Sequence, residues 1–482
     1  MVTLFSLLLT PLFTPSSHAS EANPHSISFY PVALNHTTYI TNTTQGTHGG
    51  IYSAPAHRAS DPDHDDRYNY CTMPHPRPET YVAPEPVANG SVEATLVYVE
   101  YMQRHQRRTP YNLLPERQDQ EYTCDDVHPH IYAAPAPDKH NPAPIPVYGQ
   151  TYTDPTNPFL TDTIPGTCQY PQLTKGGILD GYQHGRDLRD VYGGDNPLPD
   201  AGPSSQVWLR ASSSALTQGS AGAVLRGLWP DYNGKIALRR QAEGIDTVDS
   251  GFTCAARDRV LEQMKGARAW REHLGVTMLL REELGKMFSI GWEKEEGAWM
   301  TSFDHFADAF QARVCNGYRL PCRAKKEGEK EGDNCVTQEQ AEEVFRAGDW
   351  EWNYLFRGSD LAREYIQLVG SLFIGEIVRR LEAVGEGRRD WVYSHNFVHD
   401  GDLGPVLGAL GIKALRWPGM AANVAVEVWR ADGDHEAFYA RVLYSGQTVE
   451  TIHGPMEWMP LGELLEILRG FVLGDIVSMC QD

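Results

Sequence analysis

The chain has 482 residues, 41% of them apolar, enough to bury a large core as one domain or to divide among two or three. Its formal charge of -21 excludes a polyanionic partner held by bulk attraction, nucleic acid and acidic membrane faces included. An anionic ligand therefore needs a local basic pocket.

Residues 1–19 carry an apolar run from Val2 to Phe13 and end on Ser17 and Ala19, small residues of the kind a signal peptidase reads. This predicts a cleaved secretory signal, although no Lys or Arg precedes the run. At about 12 residues the run is too short to span a bilayer, so no membrane association is expected after cleavage. Residues 20–93 form an extension rich in Pro, His and Thr, predicted as loop and extended wrapping. Three Asn-x-Ser/Thr triplets, at Asn35, Asn42 and Asn89, agree with a glycosylating compartment. Eight scattered cysteines, none in a CxxC pair beside histidines, predict disulfides rather than zinc, with the pairing left open.

Residues 94–102 make a β-branched and aromatic run that reads as a buried strand ending at a basic turn. Residues 173–192 read as a helix, 206–209 as a second strand and 212–228 as another helix. From 255 to 385 the composition turns helical and charged, with amphipathic stretches at 256–284 and 358–382, which predicts an inserted helical cap. Its charged run at 323–333 reads as a solvated loop. Strand signals return at 390–394 and as a hairpin of 422–429 and 437–444, with Asp432-Gly433 as turn. The pattern predicts an α/β fold whose mixed, mostly parallel central sheet is flanked by helices. Its core is discontinuous, residues 94–254 and 386–482, with the cap inserted at 255–385.

The first strand runs into Arg104-His105-Gln106-Arg107-Arg108-Thr109-Pro110, guanidiniums around one imidazole at the carboxyl end of a strand, where open α/β sheets bind ligands. Arginine forks match phosphate oxygens, and a neutral imidazole nitrogen can attack phosphorus. By itself the segment also fits a basic surface turn with an incidental histidine.

Residues 104–110 resemble the Arg-His-Gly-x-Arg-x-Pro signature of the histidine acid phosphatase family, which includes fungal phytases, with Gln106 in place of glycine. His399-Asp400 resembles that family's second signature, and Leu173-Thr174 with Gly177, Gly185 and Arg189 to Tyr192 is similar to its Leu-Thr-x-x-Gly helix. Glu427 to Trp429 and Arg441 to Tyr444 resemble its last core strands, so the likeness covers roughly residues 94–235 and 386–475. The resemblance implies that His105 is the nucleophile, Arg104 and Arg108 clamp phosphate, His399 adds a further phosphate contact and Asp400 protonates the leaving oxygen. It implies a small-molecule phosphomonoester as substrate and no cofactor or metal. Oligomeric state and the particular monoester are not readable, and His184 and His395 are read as structural.

Two positions depart from the family pattern. The family's third phosphate-binding arginine is replaced by Leu216 after Arg210-Ala-Ser, and Gln106 stands where glycine suits a tight turn at positive φ or a close approach, so strain is expected there. Arg107 is expected to point away from the face of Arg108 rather than to compensate. Two readings follow: a secreted phosphatase working through a phosphohistidine, with activity weakened to the extent that the missing arginine matters, or a catalytically impaired pseudophosphatase that binds a phosphorylated ligand or partner.

Overall fold

The computed structural model describes residues 70–481 apart from 115–120, 128–129, 132–146, 150–151, 153, 155, 159–165, 170, 293–296, 324–327, 329–331, 333, 414, 433–436 and 449. The expected signal, Asn35, Asn42, most of the N-terminal extension and the turn at Gly433 lie outside the described residues.

A six-stranded sheet organises the chain. Its strands are β1 (Ala94–Arg104), β2 (Val207–Ala211), β3 (Tyr393–Val398), β4 (Asn423–Ala431), β5 (Ala437–Tyr444) and β6 (Met459–Pro460), in the order β6-β5-β4-β1-β3-β2. The sheet is mixed and flanked by helices as expected, but it is not mostly parallel. Parallel pairing is confined to β1 with β3 and β3 with β2; the other three pairings are antiparallel. Connection length accounts for part of this: β4 and β5 are close in sequence, and a short link joins only antiparallel neighbours, whereas long helical crossovers separate β1, β2 and β3; β4 in addition returns antiparallel alongside β1.

β3 begins later than residues 390–394 suggest. Its sequence Tyr-Ser-His-Asn-Phe-Val carries three consecutive polar side chains, Ser394 to Asn396, and all six residues are buried. Burial is tolerated because Ser394 and Asn396 donate to Glu100, while His395 pairs with Gln103.

Alternation along β1 sends its side chains into two layers. Val99 and Tyr101 join α1 (Lys175–Tyr192) and α2 (Ala215–Leu228) on one face, through Leu188, Val191, Val224 and Leu228. The two helices approach closely because Gly185 and Gly227 face each other's backbones; a Cβ on Gly185 would lie 2.0 Å from the Val224 carbonyl oxygen. Tyr98 and Met102 face the opposite layer. That layer includes α3 (Asp304–Val314), α4 (Ala362–Gly385), α5 (Asp400–Ala409) and α6 (Leu461–Arg469), which share one apolar core with the sheet, whereas the helices over 255–276 pack in a separate cluster with Trp350 and Cys480.

All eight cysteines are paired, as Cys71–Cys315, Cys124–Cys168, Cys254–Cys480 and Cys322–Cys335. Cys71–Cys315 staples the irregular segment from Tyr70 onward to the end of α3, and Tyr70, Met73 and His75 are buried there.

Glu100, fully buried in β1, accepts two hydrogen bonds from Arg380 of α4, at 2.7 and 2.8 Å, and others from Ser394 and Asn396. This bidentate pair bolts α4 to the sheet. Arg380→Met leaves the carboxylate without its cation and is expected to cost about 3–5 kcal/mol in denaturant unfolding. A double variant that also carries Glu100→Gln should recover part of that loss; recovery of none of it would contradict the account.

Candidate active site

The parallel register sets Arg104 opposite Val398, so the residues that follow β1 and β3 emerge side by side at one edge of the sheet. The two sequence segments meet there: the His105 and His399 ring centroids are 5.1 Å apart. His105 N donates to the Val398 carbonyl at 3.1 Å, and Gln106 N donates to Ser220 Oγ of α2 at 2.9 Å, which fixes the loop on both sides.

His105 Nδ1 lies 2.8 Å from the carbonyl oxygen of Gln106. A carbonyl only accepts, so Nδ1 holds the proton and Nε2 of the neutral ring keeps its lone pair. Burial first, then the charges of Arg104, His399 and Arg108, hold this imidazole well below the usual histidine range. The neutral form of the ring is therefore favoured.

Arg104 reaches Asp400 with Nη2–Oδ2 at 2.8 Å and donates to Tyr70 Oη at 3.0 Å and to the Pro418 carbonyl. Arg108 pairs with Asp308 at 2.8 Å, and its guanidinium lies 4.3 Å from the Tyr111 ring centroid. Both guanidiniums are buried and held in fixed directions, as a clamp for a tetrahedral oxyanion requires.

Asp400 opens α5. Its Oδ2 accepts from Trp417 Nε1 at 2.7 Å and its Oδ1 from Gly401 N at 2.9 Å. Burial works to raise its pKa, but Arg104, the Trp417 hydrogen bond and His399 outweigh it, so the carboxyl titrates below its ordinary value. His399 is held low by burial, opposed by Asp249 and Asp400; its Nε2 lies 3.2 Å from Asp249 and 3.4 Å from Ser212 Oγ.

The structure thus brings Arg104, His105, Arg108, His399 and Asp400 together. Sequence reading missed Tyr70, Asp249, Asp308 and Trp417, which come from distant segments and carry no local motif. The one available signal was Asp249-Ser250-Gly251, a turn tripeptide just before the helical segment.

Neither departure behaves as a strained or compensated site. Leu216 lies in the first turn of α2 at 1% exposure, with no charge to offer. Arg107 points toward α1, with Nε 2.7 Å from Asp180 and Nη1 2.7 Å from the Cys315 carbonyl. Arg210 is tied to Asp246 and Glu376. Gln106 does not adopt a positive φ, which corrects the expectation of a strained turn. Its side chain fits because the space is supplied across the loop by Gly181, whose Cβ would come 3.3 Å from Gln106 Cγ. Both polar atoms of the Gln106 amide are buried without a hydrogen-bond partner among the described residues. Gln106→Met, of similar shape, should therefore raise unfolding stability by about 1–3 kcal/mol; a loss of stability would mean that the amide is satisfied.

An α/β sheet that presents a neutral imidazole between two guanidiniums at the ends of its parallel strands is the framework of a phosphatase-type hydrolase. The chain belongs to the histidine phosphatase superfamily (branch 2), which it matches over residues 95–445. It is 25% identical to 2-phosphoxylose phosphatase 1 of Homo sapiens over 368 residues, covering 74% of this chain and 72% of that protein. Identity to 2-phosphoxylose phosphatase 1 of Danio rerio is also 25%, over 331 residues, 63% of this chain and 64% of the relative. Among solved structures, the apo form of Hafnia alvei phytase is similar in fold, with a TM-score of 0.50 at 12% identity, covering 80% of this chain and 98% of the phytase chain.

Proposed function

We propose that this protein hydrolyses phosphate monoesters through a phosphohistidine on His105. Nε2 attacks phosphorus, the ester P–O bond breaks, and the leaving oxygen takes its electron pair together with a proton from Asp400. Water then attacks the phosphohistidine, giving its proton to the Asp400 carboxylate, and inorganic phosphate leaves. Arg104, Arg108 and His399 hold the phosphoryl oxygens throughout. The observation that carries this reading is the Nδ1 contact with the Gln106 carbonyl, which leaves a neutral Nε2 lone pair among the clamps.

Phosphorylated sugars are the substrate class, because relatives are named for 2-phosphoxylose. Tyr111, 39% exposed and stacked against Arg108, offers a sugar ring a flat face at the rim. Passage through the secretory pathway is supported by the four disulfides and the expected signal, and Asn89, exposed on the surface, is the glycosylation acceptor among the described residues.

The test is hydrolysis of xylose 2-phosphate and of an aryl phosphate by the purified protein between about pH 4 and 7. Turnover of both, with the sugar phosphate favoured, is expected; a folded protein inert toward both refutes the reading. Leu216 favours a second reading, a binding protein that keeps the pocket without turnover. The absent donor corresponds to about a hundred- to a thousandfold in rate, so Leu216→Arg should raise turnover of a sluggish enzyme. A wild type without turnover that gains it in Leu216→Arg marks the pseudophosphatase.

A further inference from the structure

Beside His399 stands a carboxylate that the mechanism above does not use. Asp249 belongs to the turn between β2 and the helical segment, and both it and Ser250 have left-handed backbones, with φ of 67° and 45°. Such conformations persist only where the surroundings fix them. Here Asp249 N donates to Asp402 Oδ1 at 2.7 Å, Ser250 Oγ to the Val369 carbonyl at 2.9 Å, and Arg257 to the Ser250 carbonyl at 3.0 Å. The turn aims the Asp249 side chain at His399 Nε2, 3.2 Å away, and at the Ser212 hydroxyl, yet leaves it 33% exposed. Ser212 opens the segment in which Leu216 stands where the resembled family has an arginine, and Arg210, just before it, is engaged by Asp246 and Thr247.

We propose that Asp249 couples anion binding at this pocket to uptake of a proton. The inference rests on the phosphate-site reading and extends it. With Asp249 ionised, an oxyanion approaching His399 meets a carboxylate at hydrogen-bond distance from the same imidazole. With Asp249 protonated, that repulsion disappears and its O–H can donate to an anion oxygen. Protonation thus supplies, at acid pH only, a donor in a pocket that lacks the third arginine.

The groups facing Asp249 act in opposite directions, and the balance favours its protonated form. Burial, then Asp246 of its own turn and Asp400 of α5, raise its pKa against the lowering effects of His399 and the Ser212 hydrogen bond. Asp402, on the same helix, is also raised, by burial and by Asp249, despite accepting backbone N–H groups from His399 and Asp249. Arg104 and Arg108 act on His399 from the other side, and Tyr111 lies within the field of Asp249 from the rim.

Sulfate is the probe, since it stays a dianion across the range and reports only protein titration. Its affinity for the full chain is measured calorimetrically from about pH 4.5 to 7, in wild type and in Asp249→Asn. Asparagine tolerates the left-handed backbone, so the turn is kept. Wild-type affinity is expected to fall by about tenfold per pH unit for each linked proton above the controlling pKa. Asp249→Asn should flatten that slope by about one proton and bind sulfate about tenfold more tightly than wild type at pH 7. A variant with the wild-type slope, or with uniformly weaker binding at every pH, overturns the inference while leaving the phosphate site standing. Absence of sulfate binding by folded wild type at pH 4.5 overturns the phosphate-site reading and the inference with it.

Discussion

Replacing His105 with alanine is expected to abolish turnover, by about ten-thousandfold or more, while leaving the protein folded. The size of the effect follows from the chemistry: with no nucleophile at the centre of the pocket, the covalent route closes, and neither the clamps nor the acid can replace it. Folding should survive because, among the described residues, the ring makes one side-chain hydrogen bond, to its neighbour's carbonyl, while the loop is held by backbone contacts to Val398 and Ala421 and by Ser220. Removing an imidazole whose neutral form is favoured by burial also removes a group that must charge when the chain unfolds in acid. Its folded pKa is depressed, so the neutral ring costs stability as pH falls below the unfolded value near 6.5. His105→Ala should therefore resist acid unfolding at least as well as wild type. Turnover within tenfold of wild type would remove His105 from the mechanism.

Asp400→Asn carries the second large effect, expected at about a hundred- to ten-thousandfold for a sugar phosphate. The loss should be much smaller for an aryl phosphate, whose leaving oxygen is already a weak base and needs little proton assistance. This dependence on leaving group distinguishes an acid from a residue that only shapes the pocket. The pH profile follows from the same carboxyl. In the free enzyme Arg104 and Trp417 hold Asp400 below its ordinary range, against the effect of burial, so the protonated acid becomes scarce as pH rises and kcat/KM falls above that depressed pKa. A bound phosphoryl group shares Arg104 and adds negative charge beside Asp400, which raises its pKa. The descending limb of kcat should therefore lie at higher pH than that of kcat/KM, and Asp400→Asn should lose the limb. Equal losses for both leaving groups, with the limb retained, would assign the proton to another residue.

Much of this site was legible because its determinants are local. The apolar run of β1 ends at Arg104 and is followed by the basic motif, and His399-Asp400 sits where β3 gives way to α5; parallel pairing then brings the two together. What escaped reading depends on contacts between distant segments. The sequence shows Gln106 in place of glycine but not Gly181 across from it, so an accommodated side chain read as a strained one. Pairing direction was misjudged because the alternation of β4 and β5 does not reveal that β4 returns alongside β1 in the antiparallel sense. Asp308, Trp417 and Asp249 are ordinary residues in sequence; only tertiary placement turns Asp308 onto Arg108, Trp417 onto Asp400 and Asp249 onto His399.

The central claim, a phosphoryl group carried on His105, is tested most directly by trapping it. The Asp400→Asn protein, which lacks the group that accepts the proton of the attacking water, is mixed with a labelled aryl phosphate, quenched in alkaline denaturant and digested. Label on the peptide that contains His105, stable to alkali, released by acid and absent when His105→Ala is added, is the expected result. Release of labelled phosphate with no label on that peptide, or label carried elsewhere, would contradict it.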